Sequence, residues 1–133
     1  MKKILYFALS LMILTMVGLS SCDEPAVPDD TDPRANYTYT WTCQELGGLT
    51  YSVVITEDPA NSTQVLMGNF HMLGVNEKAY AIATANNLTI PSQELCNNTI
   101  NGSGTLTNAN KITLKYYVNN HSTIDTINAT YTK

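Results

Sequence analysis

The sequence predicts an all-β domain, and three observations predict it. Apolar and polar residues alternate with a period of two, as in residues 111–118, where Ile112, Leu114 and Tyr116 share one face. Asn and Thr supply 30 of the 100 residues from position 34 to position 133, a stretch that lacks helix-capping patterns. Short turn-forming segments separate the alternating runs. Period-two patterning with β-branched and aromatic residues is typical of half-buried antiparallel strands.

Eight segments are predicted as strands, in chain order: residues 37–44, 49–56, 63–70, 78–85, 88–91, 97–106, 111–118 and 124–132. Asp58-Pro59 and Asn86-Asn87 carry turn chemistry between them, and Asn suits a tight hairpin because it tolerates positive φ. Gly102-Ser103-Gly104, inside the sixth segment, predicts a bulge or a sharp bend.

Short connections throughout favour a meander, in which each strand pairs with the next one along the chain. Eight such strands can close into a small barrel and lose their exposed edges. We therefore expect a small lipocalin-like barrel, and a two-sheet β-sandwich is the alternative.

The first 21 residues predict a signal peptide. Lys2 and Lys3 precede an apolar run of 15 residues, positions 4–18, where a membrane-spanning helix needs about 20. The run ends at Leu19-Ser20-Ser21-Cys22, which resembles the lipobox of bacterial lipoproteins. The resemblance implies cleavage before Cys22 and acylation of that cysteine, which gives stable anchoring to a membrane. An ordinary secreted protein with an incidental Cys22 is the alternative.

Residues 22–34 predict an extended tether that carries the lipidated cysteine, and residues 35–133 form the predicted domain. The tether is acidic and holds three prolines with almost no apolar content. The chain from Cys22 onward has five basic and eleven acidic residues, a net charge of −6. Without a basic face, nucleic acid and anionic lipid are excluded as expected partners of the domain.

Asp23 and Glu24 follow Cys22 directly. An acidic residue there resembles the inner-membrane retention signal of enterobacterial lipoproteins, whereas in Bacteroidetes it resembles a surface-export signal. We expect the outer membrane and surface exposure, with a periplasm-facing position as the alternative.

Two cysteines remain in the domain, Cys43 and Cys96. An exported chain meets an oxidising compartment, so the pair predicts a disulfide, worth on the order of 4 kcal/mol in the chain-entropy model. The meander places both at the same rim, opposite the tether. Two buried free thiols are the alternative.

The same meander places His71, Glu77, Glu94 and His121 in loops of that rim, as a possible ligand-binding set. Solvated loop residues are the simpler interpretation. Two cysteines and two histidines far apart in sequence form no zinc pattern, so no metal and no cofactor are predicted.

The sequence contains no recognised catalytic motif. Its few carboxylates show no spacing that predicts the two facing carboxylates of a glycosidase, so an enzyme is not expected. The leading hypothesis is a non-catalytic binding or accessory module of the cell envelope, whose partner is a glycan, a small apolar ligand or an envelope protein. A lipocalin-like carrier of a small apolar molecule is the first alternative, and a hydrolase is the second. Trp41, Tyr39, Tyr117 and Tyr80 are candidates for a sugar-stacking platform, although strand aromatics usually fill a core.

Asp125-Thr126-Ile127 resembles the acceptor pattern of Bacteroidetes protein O-glycosylation, with Thr126 as the modified residue; an ordinary strand position is the alternative. The domain as a whole resembles a group of small Bacteroidetes lipoproteins of unknown function. The residues that carry this resemblance are 51–55, 69–70, 88–93, 102–105 and 129–133. The group implies neither a substrate nor a catalytic residue.

Overall fold

Eight antiparallel strands pair with their neighbours in chain order, and the last strand pairs with the first, so that the sheet closes into a barrel. The computed structural model describes residues 31–133. The strands are β1 (Tyr39–Glu45), β2 (Thr50–Glu57), β3 (Gln64–Gly68), β4 (Lys78–Ala83), β5 (Asn87–Leu95), β6 (Asn98–Asn108), β7 (Lys111–Asn119) and β8 (Ile124–Thr132). Two short 3₁₀ turns, Pro33–Asn36 and Phe70–Met72, complete the described part. The prediction of an all-β, eight-stranded meander is confirmed, in its barrel form.

The predicted signal peptide, Cys22 and most of the predicted tether lie outside the described residues. The described unit begins at Thr31, so Asp32 and Arg34, which the sequence places in the tether, belong to the folded unit. Arg34 donates hydrogen bonds from Nη1 to the carbonyl oxygens of Asp58 and Asn61, both at 3.2 Å. The entering chain is thereby held against the β2–β3 loop. Within residues 31–133, no helix has the length and apolar character needed to span a membrane.

The fifth strand is longer than predicted because it tolerates a proline. The pairing of β5 with β6 shifts register between Ile90 and Gln93, so Pro91, which lacks an N–H, falls in an irregular stretch of the ladder. The strand then continues to Leu95. A proline usually ends a strand, but the bulge between Ile90 and Gln93 removes the need for a hydrogen bond from Pro91, so β5 continues past it.

Side chains fill the barrel interior. Inward-facing positions alternate along every strand, and the largest fully buried side chains include Trp41, Tyr37, Tyr116, Tyr131 and Phe70. An eight-stranded barrel is just wide enough for side chains to fill it. The two principal depressions of the described surface both lie outside this interior.

Gly102 and Gly104 allow the backbone of β6 to approach the inward side chains of β7. A Cβ atom at Gly102 would lie 2.5 Å from the Cβ of Tyr116, and one at Gly104 would lie 2.9 Å from Cγ of Leu114. The register between β6 and β7 runs unbroken past both glycines. The bulge of the prediction does not interrupt the pairing of β6 with β7; the irregularity lies in the pairing of β6 with β5, next to Gly102, and the extra residue is on β5.

Replacing Gly102 with alanine should lower the free energy of unfolding by about 2–3 kcal/mol, because the new methyl group overlaps the backbone of β7. Urea denaturation measures the change. Ser103→Ala, on the exposed outer face beside it, is the control, for which we expect a change within about 0.5 kcal/mol. Equal effects at the two positions would contradict the close approach.

The two ends of the barrel differ in what they carry. The first and last described residues and the β2–β3, β4–β5 and β6–β7 loops lie at one end. The loops 46–49, 69–77, 96–97 and 120–123 lie at the other end, which we call the distal rim.

Candidate functional site

A carboxylate at the end of β1 joins three elements of the barrel. Oε1 of Glu45 accepts hydrogen bonds from the hydroxyl of Tyr51 on β2 at 2.6 Å and from the hydroxyl of Tyr116 on β7 at 2.7 Å. Nδ1 of His71, in the β3–β4 loop, lies 2.9 Å from the same oxygen. We call these four residues the Glu45 cluster.

Strand periodicity places Glu45 there. Trp41 and Cys43 point into the barrel, and Glu45 continues their alternation, so its side chain turns inward just below the distal rim. The side chain of Glu45 is 12% exposed and that of His71 is 25% exposed. A carboxylate this deep needs hydrogen-bond donors, and the cluster supplies three of them.

The β3–β4 loop is held in a strained conformation above the cluster. Asn69, His71 and Met72 have φ values of 61°, 50° and 56°, which non-glycine residues rarely adopt. Such positions each cost on the order of 1–3 kcal/mol and persist where surrounding contacts fix them. Here Phe70 is fully buried, with its ring centroid 4.6 Å from that of Tyr116, and His71 is tied to Glu45.

The hydrogen bonds keep Glu45 ionised. Burial raises the pKa of this carboxyl, but the donors Tyr51, Tyr116 and His71 outweigh burial, and the net result is a pKa below the ordinary value. Because the Tyr116 hydroxyl donates to Glu45, Nδ1 of His71 is assigned the proton that faces Oε1. In neutral His71 this assignment leaves Nε2 as an acceptor.

Below the cluster, the barrel buries a thiol and a further hydroxyl. Burial raises the pKa of Cys43 to about 11. Burial also raises the pKa of Tyr131 well above its ordinary value, and the Cys43 thiol lies next to it. Among the described residues, the Tyr131 hydroxyl has no hydrogen-bond partner of regular geometry. A protonated thiol of this kind is a poor nucleophile.

The buried tyrosines predict alkaline instability. Burial raises the pKa of Tyr37 to about 12, and it raises those of Tyr51, Tyr116 and Tyr131 above the ordinary value of 10.0. Since the folded state holds these protons more tightly, the stability that the four hydroxyls contribute is fully present below pH 10 and is lost as the pH rises through the raised folded pKa values. Thermal unfolding followed from pH 8 upward measures the loss. An unchanged midpoint well above pH 10 would contradict the burial of these hydroxyls.

The predicted disulfide between Cys43 and Cys96 is wrong, since both are free thiols. Cys43 points into the core and is fully buried. Cys96 and Asn97 are the two central residues of the β5–β6 hairpin, with φ values of 49° and 59°, and this tight turn projects Cys96 into solvent. The up-and-down order of the strands correctly predicts that Cys43 and Cys96 lie near the same end of the barrel. It does not predict the direction in which each side chain points.

This difference predicts selective thiol chemistry. In the folded protein, a maleimide reagent should label Cys96 and leave Cys43 unmodified; after unfolding, both should react. Two effects raise the pKa of Cys96: partial desolvation, which is the larger, and the negative charge of Glu77. Because the thiolate is the reactive form, labelling should be slow near neutral pH. Peptide mass mapping identifies the labelled residue. A Cys43–Cys96 cross-link in the untreated protein would contradict the structure.

The four rim residues predicted as a ligand set do not converge. Only His71 belongs to the Glu45 cluster. His121 and Glu94 lie 3.9 Å apart and are 61% and 63% exposed, so they form a loose surface pair. Glu77 lies beside Cys96 instead. The described residues contain no group of three or more His, Cys, Asp or Glu side chains placed to hold a metal ion.

Sequence reasoning missed the members of the cluster other than His71. The alternation of β1 places Glu45 on the same inward face as Trp41 and Cys43. A carboxylate on an inward face needs buried hydrogen-bond donors, and this is the signal that would have identified the cluster. The hydroxyls that bind it come from tyrosines that the same pattern assigns to the core.

The aromatic residues do not form a stacking platform. Trp41 is fully buried, whereas Tyr39 beside it is 55% exposed. The Trp41 Nε1 donates to the carbonyl oxygen of Tyr37 at 2.7 Å. The core interpretation of Trp41 is therefore correct. Thr126 is exposed on the outer face of β8, opposite Tyr117 on β7.

One depression of the described surface is a groove of about 690 Å³ on the outside of the barrel. It crosses β6, β7, β8 and the end of β1, and we call it the outer groove. Comparisons with protein-family models, curated proteins and solved structures find no match to this chain. Function therefore has to be argued from the chemistry of these surfaces, since a barrel fold hosts many functions.

Proposed function

We propose that this chain is a lipoprotein of the outer membrane, anchored through Cys22, that acts as a non-catalytic binding module on the cell surface. The observation that carries the proposal is the filled interior. Val53, Ile55, Leu114 and Tyr116 occupy the positions where a carrier needs space, and each is at most 3% exposed. This packing favours binding by the outer surface over a lipocalin-like carrier.

The geometry of the polar groups favours binding over hydrolysis. Among residues 31–133, Glu45 and His71 form the carboxylate–histidine pair below the distal rim, and two tyrosine hydroxyls donate to the same Glu45 oxygen that faces His71. A general base or nucleophile needs a free lone pair facing the substrate. The cluster fits a structural role, in which it fixes the β3–β4 loop to the barrel.

The distal rim is the face we assign to a protein partner. It carries four of the eight large apolar side chains exposed among residues 31–133, namely Leu46, Leu49, Met72 and Val75, and a fifth, Ile124, is the first residue of β8 next to the rim. Exposed apolar groups gathered at one end indicate an interaction site. The first described residue, Thr31, lies at the opposite end of the barrel.

Charges at the rim favour a partner of complementary chemistry. Glu77, Glu94 and Asp125 lie in the rim loops or at the strand ends next to them, where Lys78 is the one lysine or arginine among residues 31–133. Two copies of this rim would bring like charges together. An envelope protein with an apolar surface bordered by Lys and Arg satisfies both features.

The anchor is tested by Cys22→Ala. We expect this variant to leave the membrane fraction, because acyl chains supply the anchoring. Unchanged membrane association would overturn the lipoprotein assignment. Protease treatment of intact cells should digest the domain; protection from protease in intact cells would instead place it on the periplasmic side.

The binding face is tested by photo-crosslinking in the native envelope. A photoreactive residue is placed at Val75 on the distal rim or, as the matched control, at the exposed Ala109 in the β6–β7 turn at the opposite end. We expect a specific cross-linked protein from position 75 only, with contacts mapped to an apolar, lysine- or arginine-bordered surface. Equal cross-linking from both positions, or none from position 75, would contradict this assignment.

A further inference from the structure

The strand register arranges the outer groove as a channel that runs across the strands. Gly104 pairs with Leu114, Leu114 with Ala129, and Ala129 with Glu45. Gly104 has no side chain, Leu114 and Ala129 are buried on the inner side of the sheet, and the Glu45 carboxylate binds the Tyr116 hydroxyl there. Their backbone forms the floor. The residues on either side of each floor position point outward and form two walls.

Each wall is a ladder contributed by successive strands. One wall consists of Thr105, Thr113, Thr130 and Gln44, which are paired in that order across β6, β7, β8 and β1. The other consists of Ser103, Lys115, Asn128 and Leu46, where the Leu46 N–H donates to the Asn128 carbonyl oxygen at 2.8 Å. All eight line the groove.

The walls present hydroxyl and amide groups, which both donate and accept hydrogen bonds. Lys115 is the one cation among the lining residues. Glu45 also borders the groove, but its carboxylate is bound by the cluster on the inner side of the sheet. The groove therefore presents polar and apolar surface in about equal parts and carries little net charge, in a chain of net negative charge.

This chemistry disfavours other classes of ligand. A peptide strand needs free backbone groups at a sheet edge, and a closed barrel has none. A lipid needs an apolar lining, whereas Leu46 is the one exposed large apolar residue here. A nucleic acid needs several cations along its phosphates, and the groove offers Lys115 alone.

We propose that the outer groove binds a linear carbohydrate chain, which goes beyond the protein-binding role of the distal rim. The volume of about 690 Å³ falls within the range of ligand sites. Wall groups recur at the strand spacing of about 4.8 Å, so a polymer with regularly repeated hydroxyls can meet each strand in turn. Lys115 can pair with a carboxylate on such a chain.

Calorimetric titration of the full chain in detergent micelles tests this proposal. The probes are two linear hexasaccharides, one of neutral glucose units and one of uronic acid units. We expect saturable binding of at least one. The double variant Thr113→Val/Thr130→Val should weaken it at least tenfold, because it removes two hydroxyls from one wall with little change in shape.

Thr40→Val is the matched control, since Thr40 lies exposed on the outer face of β1 beyond the groove, opposite Val54. It should bind like the unmodified chain. Thermal unfolding checks that both variants remain folded, and Asn128→Leu on the other wall provides a second test. Absence of binding to both probes, or equal affinity of groove and control variants, would overturn the proposal. Neither result would alter the cross-linking expected at Val75.

Discussion

Trp41→Ala is expected to lower the free energy of unfolding by about 4 kcal/mol, within the range measured for large aromatic residues removed from cores. The indole is fully buried, and its Nε1 donates to the carbonyl oxygen of Tyr37. Its removal leaves a cavity and an unpaired carbonyl together. Because domains of this size have about 5–15 kcal/mol in total, the variant should approach instability at physiological temperature.

Tyr39→Ala is the control for this prediction, since Tyr39 is the neighbouring aromatic on the same strand and is 55% exposed. Urea denaturation of both variants gives the comparison, for which we expect a change below about 1 kcal/mol at Tyr39. Similar losses at the two positions would indicate that Trp41 is not in the core.

Glu45→Ala is expected to lower the free energy of unfolding by about 3 kcal/mol and to release the β3–β4 loop. It leaves the hydroxyls of Tyr51 and Tyr116 and the Nδ1 of His71 without their acceptor, and each unsatisfied buried donor costs about 1–3 kcal/mol. Amide hydrogen exchange in the loop 69–77 should accelerate. Glu94→Ala, which removes an exposed pair with His121, should change stability by less than about 1 kcal/mol.

The pH dependence of stability gives an independent check on Glu45. Its folded pKa lies below the ordinary value of 4.5, so its contribution is present above pH 4.5 and is lost as the pH falls through the lower folded value. Glu45→Gln keeps an acceptor but removes the titration. The variant should therefore lose less stability than the parent between pH 5 and acid pH; identical acid profiles would contradict the ionised cluster.

Much of the fold follows from local pattern. The period-two runs of β7 and β8 predict those strands almost to the residue, because half-buried antiparallel strands leave a clear alternation. Where the sequence pattern gave a wrong prediction of local structure, a contact with a neighbouring strand determines the structure instead. The glycines of β6 make room for Tyr116 and Leu114, and a bulge carries β5 past Pro91. Each of these features depends on a neighbouring strand, so the sequence of the segment alone does not predict it.

The candidate sites were less accessible from sequence. The end of the barrel where the loops gather could be predicted from strand parity, and so could the placement of His71 there. The direction of each side chain could not, which is why Cys43 and Cys96 share an end but do not meet. The outer groove depends on the register between β6, β7, β8 and β1, and register emerges only when the barrel closes.

The two proposed binding faces lie on different parts of the barrel. The distal rim faces away from the entry of the chain and carries exposed apolar residues. The outer groove lies on the flank of the barrel and carries hydroxyl and amide groups. The Glu45 cluster joins the loop of the rim to β1, the strand that also forms one end of the groove. If both proposals hold, the domain can engage a protein at the rim and a polysaccharide in the groove at the same time.

The central claim is that ligands bind to the outer surface of the barrel, because side chains fill its interior. Native mass spectrometry of the chain purified from its own membrane tests the claim most directly, by comparison with the same sample after denaturation. We predict equal masses for the folded and denatured chain, since the proposed acyl anchor is covalent and stays attached in both. A small apolar molecule released in equimolar amount on denaturation would contradict the claim and identify the barrel as a carrier.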